Sequence, residues 1–146
     1  MSSGSSSSGC VAYCERSDVE AVYGVENVKK WADLDNDVDP VKIEARITWA
    51  RCLASERINV RLASSPYDVP FLEPFPDVLV DITARLSGLL LHDSRGVEDL
   101  DAEGRPTDVL QTHRNEYARF IQDVYAGRIR FPELTSTKRV PGAFSL

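Results

Sequence analysis

The chain has 146 residues, with 17 Lys and Arg against 23 Asp and Glu, a formal net charge of −6, and 42% hydrophobic content. That length is enough for one domain with one core, and the acidity counts against a dedicated nucleic-acid binder, which carries a basic footprint. No apolar run approaches the roughly 20 residues of a membrane span, and no signal-peptide pattern opens the chain, so it reads as made and folded in a cytoplasm.

Residues 1–12 begin with "MSSGSSSSG", a flexible Ser/Gly leader of the kind added in cloning, and carry no fold information. Cys10, Cys14 and Cys52 make an odd count without a Cys-x-x-Cys pair, and read as ordinary reduced thiols. Cys10 and Cys14 are four apart, but no His lies near them, so no metal site is assigned.

"SDVEAVYG" predicts a short helix with Ser17 as N-cap and Gly24 as its stop. "VENVKKWADL" follows as a second short amphipathic piece, with Val28, Trp31 and Leu34 on one face. A long helix begins at Asp39 and Pro40, the first as N-cap and the second at the first helical position. Ile43, Ile47, Ala50, Ala54 and Ile58 recur along it at three- and four-residue steps and predict its buried face. Lys42, Arg46, Arg51, Arg57 and Arg61 make the rest of this helix locally basic.

Pro66, Pro70, Pro74 and Pro76 predict a stiff, extended connection that offers Tyr67, Phe71, Leu72 and Phe75 for packing. "PDVLVDITARLSGLLLHD" predicts the central helix of the core, with Leu79, Ile82, Leu86 and Leu89 or Leu90 as its stripe. The acidic stretch from Asp93 to Asp108 reads as a long loop. The last helix, capped by Asp108 and ended by Gly127, places Leu110, Tyr117, Ile121 and Val124 or Tyr125 on one side. Strand signals are weak, apart from "RIRF" at 128–131. The expected fold is therefore all-α, a small bundle of about four helices over residues 13–131, with a mobile tail at 132–146.

"DLDNDVDPVKIE", Asp33 to Glu44, resembles a calcium loop, with acidic residues at loop positions 1, 3, 5 and 7 and Glu at 12. Three features argue against that. Val38 stands where Gly supplies a positive φ, Pro40 already starts a helix, and Glu44 then lies too deep in that helix to reach back to Asp33. The aspartates read instead as an acidic turn at a helix N-terminus. No Gly-rich phosphate loop, G-x-S-x-G or H-E-x-x-H is present, and His92 and His113 stand isolated as surface or half-buried helix residues. The expectation is a non-enzyme with no catalytic, cofactor or metal residues.

The order of these pieces resembles a family of tailed-bacteriophage and prophage head–tail connector (adaptor) proteins. The resemblance is carried by Tyr13, Asp18-Val19 and Tyr23-Gly24, by Asp33, Asp35 and Asp37 before a long helix, and by Tyr67 and Pro70 before "PDVLVDITARLSGLLL". Arg114, Tyr117, Ile121, Val124 and Gly127 match its closing signature. Val38 in place of the usual Gly, and the length of the acidic loop, depart from the pattern.

The resemblance implies a non-enzymatic virion assembly protein that forms a ring on the portal vertex, commonly of twelve copies, and extends the DNA channel. Several such proteins are monomers in isolation. The implied partners are other copies of the chain, the portal protein and the next tail or stopper component, with no sequence-specific nucleic acid and no membrane. The implied location is the head–tail interface of the virion. A ring needs two different faces per subunit. The row Lys42, Arg46, Arg57 and Arg61 is a candidate for one, and Glu98, Asp99, Asp101 and Glu103 for the other. The tail from Thr135, anchored by Val140 and Phe144, is expected to order against a neighbour or the portal, and an acidic channel lining would let DNA slide. The rival readings are a small helical regulatory or DNA-binding module and, behind it, a calcium-binding protein.

Overall fold

The computed structural model describes residues 10–95 and 109–129. Among these, five helices form in chain order: α1 (Arg16–Tyr23), α2 (Val25–Ala32), α3 (Pro40–Arg61), α4 (Asp77–Arg95) and α5 (Val109–Tyr125). The fold is all-α, as the spacing of apolar residues predicts. The leader at 1–9, most of the acidic loop and the C-terminal tail lie outside the described residues.

α4 is the hub, since it packs against each of the other four helices. Its sequence explains this: Leu79, Ile82, Thr83, Leu86, Leu90 and Leu91 are buried together with Ala84, Ser87 and Gly88, so more than one face is apolar or small. A helix apolar on several sides is stable only when surrounded. α3 is the longest helix and starts as expected, with the Asp39 carboxylate accepting from the Val41 amide at 3.0 Å and Pro40 at its first position. Ile43, Ile47, Ala50, Ala54 and Ile58 are all buried.

Several expectations are corrected. α1 is capped by Glu15, not Ser17: the Asp18 carboxylate accepts from the Glu15 amide at 2.7 Å, and Asp18 can reach back only from the third helical position. α2 stops at Ala32, so Leu34 falls in the turn and is exposed instead of joining Val28 and Trp31. α4 runs to Arg95, because the Arg95 guanidinium donates to the carbonyls of Lys30 and Asp33 and ties its last turn to α2. Arg128 and Ile129 form no strand; Arg130 and Phe131 are not described. His92 is buried, with its ring 5.2 Å from Trp31.

The largest correction concerns the thiols. Cys10 and Cys52 form a disulfide, leaving Cys14 as a free, buried cysteine. Residues 10–14 run along α3: the Tyr13 amide donates to Ser55 Oγ and Arg51 Nε donates to the Cys14 carbonyl. This lay brings together two cysteines 42 residues apart, which no local spacing reveals. In the segment 66–76 Phe71 packs inward as expected and is 1% exposed, whereas Leu72 stays on the surface.

Candidate interaction faces

The acidic turn is built around an internal cation. Asp33 accepts from the amides of Asp37 and Val38, which closes the loop on its own first residue. Lys42 Nζ donates to Asp35 at 3.0 Å and to Asp37 at 2.8 Å. Those bonds hold the Asp37 carboxyl below its ordinary range and push the lysine up. The ammonium therefore occupies the place where the acidic side chains converge. Glu44 turns away and accepts from Arg16 at 2.6 Å. Val38 does adopt a positive φ, 54°, contrary to the expectation from its branched side chain, and Asn36 does so at 57°. Among the described residues no group of His, Cys, Asp and Glu is placed to hold a metal ion.

The solvent side of α3 forms a first face. Trp49 is 37% exposed, and the Arg46 guanidinium lies over its ring at 3.9 Å from the centroid. Arg46 Nε is buried without a hydrogen-bond partner, and Arg46 and Arg57 make no ion pair among the described residues. Half-buried Leu53 and exposed Val60 continue the apolar line. A groove of about 390 Å³ beside it is walled by Leu34, Lys42, Arg46 and Trp49. The basic row is thus divided: Lys42 is engaged by the acidic turn, Arg46 stacks on Trp49, and among the described residues neither Arg46 nor Arg57 makes an ion pair.

A second face lies between α1, α4 and α5 and shares no lining residue with the first. One depression of about 540 Å³ is lined by Asp18, Val22, Asp77, Val80, Asp81 and Ala84, and equally by Arg85 and His113. Another, of about 500 Å³, continues from it across Asp18 and Val80 to Glu73 and Phe75. The carboxylates differ in their engagement. Asp81 pairs with Arg85 at 2.9 Å, and Asp18 caps α1. Glu73 and Asp77 have no ion pair among the described residues. His113 Nδ1 accepts from Arg85 at 2.8 Å, and its pKa is lowered by burial and then by the charge of Arg85.

The proposed acidic partners Glu98, Asp99, Asp101 and Glu103, and the tail anchors Val140 and Phe144, lie outside the described residues. The sequence reading missed Trp49 as a surface residue. Its signal was present, since Trp49 stands three residues after Arg46, off the buried stripe of α3. It also missed the acidic groove, whose residues come from three separated segments. Among the described residues no helix is long and apolar enough to cross a membrane. A family model described as Bacteriophage Mu, Gp36 matches residues 13–143. Neither a curated protein nor a solved structure matches the chain.

Proposed function

The chain belongs to the Bacteriophage Mu, Gp36 family, and from that membership we propose that it is a non-enzymatic assembly protein of a tailed phage or prophage. Its place is the head–tail interface, as a connector that adds to the portal vertex as a ring and extends the DNA channel. The ring is expected to hold twelve copies. The observation that carries this reading is the family match over nearly the whole chain. Support comes from two chemically different faces on one small subunit, one basic and aromatic, the other acidic and grooved. A subunit with two such faces suits head-to-tail contacts, which close into a ring when the rotation between neighbours allows.

The test is to mix the purified protein with the portal ring encoded by the same genome, then examine the product by size exclusion and electron microscopy. An added ring of density on the portal, with its copies counted, supports the connector role. A folded protein that leaves its own portal bare overturns it and favours the regulatory reading, which salt-dependent DNA binding would then identify.

A further inference from the structure

We infer that the α3 face of one copy docks into the α1–α4–α5 groove of a second copy, with Trp49 entering the groove and Arg46 and Arg57 meeting Glu73 and Asp77. This deepens the ring reading above and rests on it for its biological setting, although the contact itself needs only the one chain.

Three observations point to this occupant. First, the free charges match in number and sign. Among the described residues, Arg46 and Arg57 are cations without an ion pair on one face, and Glu73 and Asp77 are anions without one on the other. Desolvating charges is favourable only when they are paired, and complementary faces steer encounter. Second, each charged pair flanks apolar surface: Trp49 and Leu53 on α3, and Val22, Val80 and Ala84 in the groove. Trp and Arg are the side chains enriched at the energetic centres of interfaces. Third, the groove volume of about 540 Å³ lies within the range of sites that accept a ring-sized group.

Because the two faces share no lining residue, the contact is heterologous. A second copy leaves a free α3 face at one end and a free groove at the other, so further copies add in the same orientation at either end.

The experiment uses the full chain without the portal, so that failure of this pairing and failure of the connector role remain distinct. Amide NMR spectra recorded up to about 1 mM protein, where a millimolar contact is half-populated, should shift at both Trp49 and Val80 with concentration. Arg46→Glu with Arg57→Glu should abolish those shifts, as should Glu73→Arg with Asp77→Arg. Mixing the two variants should restore association, because each then presents the charge that the other lacks. If Arg46→Glu disturbs folding, Arg57→Glu alone carries the test. Shifts at neither face, shifts at only one face, or no recovery on mixing overturn the pairing. A portal ring that forms normally from the charge-reversed variants would remove it while leaving the connector role intact.

Discussion

The Tyr13 hydroxyl lies 2.6 Å from Asn59 Oδ1, to which it donates, and the hydroxyl oxygen accepts from the Phe71 amide at 2.8 Å. One phenol thus joins the N-terminal segment, α3 and the Pro-rich connection. Its ring also meets Phe71 and Phe75 edge-on, at centroid distances of 5.7 and 4.9 Å. Tyr13→Phe keeps the rings but removes the acceptor of the Phe71 amide and the donor to Asn59 Oδ1. The expected loss is about 2 kcal/mol, read as a lower urea midpoint. An unchanged midpoint would show that water replaces the hydroxyl.

At Gly88, α4 packs directly against the Tyr23 ring of α1. A Cβ built there would stand 2.0 Å from Tyr23 Cε2, and Tyr23 is itself held by a 2.6 Å bond from its hydroxyl to the Arg85 carbonyl. Gly88→Ala should therefore cost about 3 kcal/mol by overpacking, seen as a lower Tm with altered near-ultraviolet dichroism from Tyr23 and the adjacent Trp31. Tyr23→Leu in the same chain should recover part of the loss, which a purely helical-propensity effect would not do.

The turn at Val38 carries local strain. A branched residue at φ 54° is costly, and Val38 is 60% exposed, so its side chain returns little burial. Val38→Gly is expected to raise stability by about 0.5–1 kcal/mol despite the added freedom of the unfolded chain. Thermal melts of the two proteins decide the sign, and a lower Tm for the glycine variant would refute the strain.

The cysteines predict an asymmetric chemistry. Cys14 is buried and its thiol is pushed up to about 11 by desolvation, so a thiol reagent should label no group in the native oxidised protein and one after denaturation. Reducing the Cys10–Cys52 bridge, which closes a sequence separation of 42 residues, should lower stability by about 2–4 kcal/mol. A melt with and without reductant measures it.

His113 gives a pH dependence of definite sign. Burial and the Arg85 charge lower its folded pKa, against weaker opposition from Asp81 and Glu116. Below about 6.5 the unfolded chain then takes the proton more readily than the folded one, so stability falls as pH drops through that value. His113→Gln should flatten this part of the profile. Denaturant midpoints at pH 7.5 and 5.5 for both proteins test it; identical slopes would show that His113 does not contribute.

The elements differ in how far the residues announce them. α3 was legible to the residue at its start, because Asp39-Pro40 is a local signal and the Ile and Ala spacing needs only the helical period. The hub role of α4 was legible too, since Leu89 to Leu91 leaves no polar side. What could not be read are relations between segments: Tyr13 with Asn59, Gly88 with Tyr23, Cys10 with Cys52. Each depends on where the chain returns, which spacing does not encode. The acidic groove failed to appear for the same reason, with Asp18, Asp77 and His113 drawn from three helices. Leu34 was misplaced because the helical pattern outlasts α2 by two residues.

Lys42 between Asp35 and Asp37 has a consequence for how this subunit meets its surroundings. A metal in such a turn comes and goes with supply, and a chelator can remove it. An ammonium on the next helix is bound covalently to the protein it neutralises. The turn that leads into α3 consequently has a counter-ion tethered to the same chain, whose local concentration never varies.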